Sequence, residues 1–350
     1  MLLKYYLSSH TVRFMETLYL GYGTAKWFWE RYHDTIMPLN DRPYRSCLVN
    51  PLRNAPEIRD IVTGSFFQDI SLEVVVPRCM QGKANGLTFH GCAENYPNRS
   101  FIQISPCIYI ASPELSFVQV ASKHSFTETL LYGYSLCGNF ALSDASQSGL
   151  VERNKLVSLR RLKAYVDSCG AHHGVSRARK VVRYISEGSA SPRESKLSIA
   201  LTLPLCYGGK GLPAAKMNSR IAIPQRSSWT GGRRYYVADL YWEKARVTVE
   251  YDSDVWHANK DGIYRDSDKR NTLIDMGYTP MCFTSTQLDD PDAFDHAAEA
   301  LRRKLGVRHR PLPCEYQKKV DELRKQLGLS VVTYAPRRVD DSNLFDFQVY

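Results

Sequence analysis

The stretch Ala238-Asp239-Leu240-Tyr241-Trp242-Glu243-Lys244-Ala245-Arg246-Val247-Thr248-Val249-Glu250-Tyr251-Asp252, with Trp256-His257 just beyond it, decides the reading of this chain. Two β-rich runs flank the polar turn from Trp242 to Arg246, the pattern of a hairpin. Side chains alternate along a strand, so Glu250 and Asp252 share one face, and Val247, Val249 and Tyr251 share the other. With Glu243 to Arg246 as the loop, Asp239 lies directly across from Glu250. Carboxylates crowded on one sheet face raise each other's pKa unless a cation sits between them. A divalent metal is the economical explanation, magnesium first, because it favours oxygen ligands and keeps open water positions.

The order Asp239 … Glu250-x-Asp252 … Trp256-His257 resembles the PD-(D/E)XK nuclease superfamily. It is most similar to the branch of very-short-patch-repair endonucleases and their relatives that carry an abortive-infection antitoxin-like N-terminal region. Upstream, Ser191-Pro192-Arg193-Glu194-Ser195-Lys196-Leu197 resembles that family's entry helix. Downstream, Arg265-Asp266-Ser267-Asp268-Lys269-Arg270 … Leu273 … Gly277-Tyr278 resembles the helix after the hairpin. The resemblance spans 191–306. It implies an α/β fold: a restriction-endonuclease-like mixed sheet flanked by helices, preceded by an α+β N-terminal domain. It also implies a metal-dependent DNA endonuclease using Mg2+ or Mn2+.

On that resemblance Asp239 is the central metal ligand and Glu250 the second, with Asp252 binding a second metal or positioning water. Glu194 contributes from its helix, and His257 acts as general acid or base. Trp256 packs against a base or sugar. One departure stands out: the family's lysine belongs two residues after Glu250, where this chain has Asp252. Lys269 or His257 would have to replace it. Each residue also has a structural alternative. Asp239 and Glu250 could be a strand pair satisfied by Arg233, Arg234 or Arg246. Asp252 could cap a strand end, His257 could be an idle loop residue, and Glu194 could lie on a helix surface. Asp266 and Lys269, at i, i+3 spacing, could form a structural ion pair.

The 350 residues suffice for two domains. No apolar run reaches membrane-spanning length, and the first ten residues lack a cleavage pattern. The nine cysteines are odd in number and scattered singly, which favours reduced thiols and a cytoplasmic location. Cys79, His90, Cys92 and Cys107 fit no standard zinc spacing. The net charge of +10 is uneven: 151–235 carries roughly seventeen Lys or Arg against about four Asp or Glu. Such density suits a polyanion partner, and solvated helix faces are the plain alternative. Arg160, Arg161, Lys163, Arg177, Arg179, Lys180 and Arg183, with Arg233 and Arg234, are the candidate DNA contacts. Phosphate contacts of this kind give affinity without sequence information.

The expected organisation is an α+β domain over 1–145, a basic helical linker over 146–190, the nuclease-like domain over 191–308, and a helix and tail over 309–350. Helical pattern is expected over 9–32, interrupted by Gly21 and Gly23, with Thr24 a candidate cap of a second helix; helices are also expected from Ser112 to about 131, at 156–168 and at 176–187. Strands are expected at 71–77, 86–90 and 101–110. In the core, the order is helix 191–203, strands 235–242 and 246–252, helix 264–276, strand 279–284 and helix 291–305. Helix 315–327 follows. The N-terminal domain would bind DNA or a protein partner. Two functions remain open: the endonuclease, and a DNA-binding or antitoxin-like regulator built on a nuclease scaffold.

Overall fold

The computed structural model describes residues 16–34, 42–63, 65, 67–84, 86–92, 96–223, 234–252 and 260–331, with side chains in the last span from Ser267 onward. The expectations for Arg233, Trp256, His257 and the Asp266 side chain lie outside them.

The chain is mixed α/β, with mixed sheets flanked by helices. Its first half builds β1 (Leu18–Leu20), α1 (Tyr22–Arg31), β2 (Tyr44–Arg45), α2 (Ala55–Val62), β3 (Leu72–Pro77), β4 (Gly82–Ala84), β5 (Leu87–Cys92), β6 (Phe101–Ser105) and β7 (Ile108–Ala111). Helices α3 (Pro113–Lys123) and α4 (Phe126–Leu136) follow. The seven strands run in the order β2-β6-β7-β1-β3-β5-β4.

Leu18, Tyr19 and Leu20 are fully buried at the sheet's centre, where a helix was expected over 9–32. The stripe of apolar residues there is two elements: a strand, then a helix started by the Gly21-Tyr22-Gly23 turn. A Cβ on Gly21 would stand 2.6 Å from Val75, so this close crossing needs glycine. The single helix expected from Ser112 is also two. Ser112 caps α3 by accepting from the Leu115 N–H, and a capping box of Ser125 and Glu128 begins α4.

The Gly- and Ser-bearing stretch after α4 forms the hairpin β8 (Phe140–Leu142) and β9 (Leu150–Glu152). Two helices follow, α5 (Leu159–Ser168) and α6 (Val175–Val181), and α6 gives way to a short 3-10 turn well before Gly188. Both pack on α3. Arg153, buried and at the start of this segment, donates to the Trp29, Tyr32 and Ser135 carbonyls. These bonds tie the 146–190 segment to the N-terminal half.

The second half runs α7 (Pro192–Thr202), β10 (Lys216–Ala222), β11 (Tyr235–Trp242), β12 (Val247–Asp252), α8 (Lys260–Asp275), β13 (Thr279–Thr284), α9 (Ser285–Asp289), α10 (Pro291–Lys304) and α11 (Tyr316–Gln326). Its sheet has the order β10-β11-β12-β13. The first three strands are antiparallel neighbours, and β13 joins parallel to β12 after the α8 crossover.

Helix signals locate the ends of these elements. Ser191 caps α7 ahead of Pro192, and Asp290 caps α10 ahead of Pro291. Gly277 takes a positive φ after α8. Leu273 of α8 packs on Ile221, Tyr236 and Ala238, and Phe294 of α10 lies 6.2 Å from Phe283 of β13, ring to ring. No disulfide joins any of the cysteines. Among the described residues no helix is long and apolar enough to cross a membrane.

Candidate active site

The hairpin β11–β12 pairs Leu240 with Val249, Tyr241 with Thr248 and Trp242 with Val247. Arg246 closes the turn in the left-handed region, its N–H bonding the Glu243 carbonyl. The next position in this register places Asp239 against Glu250, as the loop length required. The ladder stops one pair short of it. Instead the Asp239 carboxylate accepts the Tyr251 N–H at 2.7 Å. The Asp239 side chain thus meets the backbone of the facing strand where the acids gather, at the open end of the ladder.

Lys269 reaches this opening from α8. Its ammonium lies 2.7 Å from Glu250 Oε2 and donates to the Val237 carbonyl at 2.6 Å. A cation therefore sits beside the second carboxylate, although position 252 holds an acid. It is carried by the next helix rather than by the strand.

Glu194 comes from the first turn of α7 and is buried. Its carboxylate accepts from the Ala190 N–H at 2.9 Å, the Ser191 hydroxyl at 3.0 Å and the Asn218 amide at 2.7 Å. The reading of Glu194 as a helix-surface residue fails on this burial. Asp252 is exposed at the end of β12, in register with Thr284.

The electrostatics bind these groups together. Asp239 is pushed up from 3.8 to about 7, first by burial and then by the negative charges of Glu250 and Glu194. The Tyr251 N–H and Lys269 pull it the other way. Asp252, Glu250 and Asp239 also help burial raise the Cys282 thiol to about 11. A negative field of this kind over oxygen donors is chemistry that fits a hard divalent cation. Yet among the described residues no three His, Cys, Asp or Glu side chains close into a set that could hold a metal. Each acid is turned to its own donor: Asp239 to a backbone N–H, Glu250 to Lys269, and Glu194 to its cap.

The arginine alternative finds no support in the described contacts. Arg246 donates to the Gly277 and Met276 carbonyls and stacks over Tyr278, with its guanidinium 4.3 Å from the ring centroid. Arg234 is exposed.

The basic helices divide in two. Arg161 pairs with the buried Glu114 at 2.5 Å. Arg177 caps the end of α3 through the Ala121 and His124 carbonyls, and Arg179 caps the end of α5 through Cys169. Those three have structural work. Arg160, Lys163, Lys180 and Arg183 are exposed. The candidate zinc residue His90 instead bonds Glu73 and stacks on Tyr22, centroids 3.7 Å apart.

Asn218 escaped the sequence reading, as did its strand β10. It sits at φ +44, a conformation rare outside glycine that Asn tolerates. Its neighbours Met217 and Ser219 pair with Leu240 and Ala238, which brings Asn218 opposite Asp239. The signal was Met217 and Ile221, buried apolar residues four apart, a spacing that keeps strand alternation with the intervening positions polar. Asn218→Ala is expected to lose about 1–2 kcal/mol through the left-handed backbone and the lost Glu194 bond. Asn218→Gly keeps the backbone and should lose less. Thermal melts decide it, and an Ala variant as stable as the Gly variant would refute the backbone part.

Compared with protein-family models, curated proteins and solved structures, the chain finds no match.

Proposed function

We propose that this chain is a metal-dependent DNA endonuclease that hydrolyses phosphodiester bonds, with a restriction-endonuclease-like core formed by α7, β10–β12, α8 and β13. One observation carries the reading: Lys269 arrives from α8 at 2.7 Å from Glu250, beside an Asp239 pushed up to about 7 by burial and then by its acidic neighbours. Carboxylates and one lysine converging from separate elements match the chemistry such hydrolysis needs.

Asp239 and Glu250 would hold Mg2+ or Mn2+, with Asp252 at the open strand end and Glu194 behind them. A bound cation supplies charge neutralisation and a more acidic water. Lys269, 2.7 Å from Glu250, offsets negative charge building on the phosphoryl oxygens. Glu194, fixed by Ser191, Ala190 and Asn218, sets the field at Asp239. His257 and Trp256 keep their proposed roles as acid–base group and base or sugar contact. Defence or repair is the setting this activity suits, and the N-terminal half would supply DNA or protein contacts.

A second reading has its own support. Because Asp239, Glu250 and Glu194 each already have a donor, the scaffold would serve equally as a non-catalytic DNA-binding or antitoxin-like regulator. Incubation with supercoiled plasmid and Mg2+ or Mn2+ separates the two. Nicking by the wild type, lost in Asp239→Ala and Glu250→Ala, is the expected result. Metal-independent, sequence-specific duplex binding without nicking would favour the regulator.

A further inference from the structure

A groove of about 860 Å³ lies between the C-terminal end of α7, helix α10 and the segment 307–312. Its volume falls in the range of ligand sites. Two acids line it, and each has a cation. Asp295 is paired with Lys210 at 2.5 Å, and Glu299 with Arg302 at 2.6 Å. Arg302 also holds the segment in place by donating to the Val307 carbonyl.

With the acids matched, the surplus charge is positive. Arg308, His309 and Arg310 are consecutive, all exposed, and all line the groove, as does His296 of α10. No ion pair or side-chain hydrogen bond joins Arg308 or Arg310 to another described residue. A run of cations is often a solvated face. Here it borders a concavity whose own acids are neutralised, and Leu312, 56% exposed, offers an apolar surface beside it. Cationic rim, histidine donors and an apolar patch together suit a polymer of phosphates, sugars and bases.

We propose that this groove holds the phosphates of a polynucleotide strand outside the reacting site. The helix α7 links the two places. Glu194 stands in its first turn and Thr202, its last residue, lines the groove. Eight residues at about 1.5 Å each separate them by ~12 Å. The role in substrate alignment rests on the endonuclease reading; the binding of nucleic acid does not.

The test measures binding alone, in EDTA, by fluorescence anisotropy of a labelled 30-nucleotide single strand and of the matching duplex. Full-length wild type is compared with Arg308→Ala/Arg310→Ala, and with Lys83→Ala/Lys244→Ala, which removes equal charge from exposed positions elsewhere. The groove variant should bind about tenfold more weakly near 0.1 M salt, with a salt slope lower by about 2 for duplex or somewhat less for single strand. The control variant should keep the wild-type slope. Equal loss in both variants means a general charge effect and overturns the proposal. So does wild-type affinity and slope in the groove variant, or a wild type that binds a labelled oligoglutamate peptide and no DNA. Plasmid nicking is scored separately, so a groove that binds in a protein that never cleaves defeats the endonuclease reading alone.

Discussion

Replacing Asp239 with Asn is expected to abolish nicking and yet to stabilise the metal-free protein at pH 8. Burial, Glu250 and Glu194 hold the folded-state pKa of Asp239 near 7, against an ordinary 3.8. The folded state thus binds this proton more tightly than the unfolded chain does. Below about pH 4 the group is protonated in both states and costs nothing. As pH rises from 4 through 7 stability is lost, and above 7 the loss is complete. At 1.36 kcal/mol per unit the full displacement corresponds to roughly 4 kcal/mol, and sharing among the coupled acids leaves a few kcal/mol as the working scale. Asn is neutral throughout and still accepts the Tyr251 N–H. Melts in EDTA should therefore show the variant several degrees above wild type at pH 8 and level with it at pH 4. Adding Mn2+ should raise the wild type at pH 8 and leave the Asn variant nearly unmoved. A variant less stable than wild type at pH 8 would mean that Asp239 is a satisfied structural acid. Stability given up at one buried carboxylate is what a site built for a cation would show.

Much of this arrangement was legible because local signals agreed. Ser191-Pro192 and Asp290-Pro291 announced α7 and α10, and the polar turn fixed the register that sets Asp239 against Glu250. The missed or misread elements share a physical cause. Leu18–Leu20 is a strand only because the sheet closes around it on both sides, and three apolar residues carry no period of their own. The roles of Arg161, Arg177 and Arg179 depend on Glu114 and on helix ends distant in sequence, so charge density alone made them look like phosphate contacts. Lys269 was visible as a basic residue on a helix. Its approach to Glu250 depends on the angle at which α8 crosses the sheet, and sequence does not encode that locally.

That approach carries the second large effect. Lys269→Ala should lower cleavage by about 10²–10³-fold, the scale for removing one preorganised charge from a reacting centre. It should also cost about 1–2 kcal/mol of metal-free stability, between surface and buried ion pairs, because Glu250 and Lys269 are 30% and 21% exposed. Loss of rate alone does not show that the ammonium acts on substrate, since a distorted Glu250 would also slow the reaction. A relocated lysine separates the two. Asp252 lies two residues beyond Glu250 on β12, exposed at the strand end. Strand alternation places it on the same face as Glu250. Asp252→Lys in the Lys269→Ala background should therefore recover about tenfold of the lost rate, while Asp252→Ala in that background should recover none. Lys269→Arg should fall in between: it keeps the charge, but its planar fork does not reproduce a compact ammonium shared between a carboxylate and the Val237 carbonyl. If Lys269→Ala cleaves at the wild-type rate, the lysine is a structural partner of Glu250 and the reaction does not use it. If the single variant is slow, Asp252→Ala alone cleaves at the wild-type rate, and the relocated lysine restores nothing, the ammonium acts only by holding Glu250 in place.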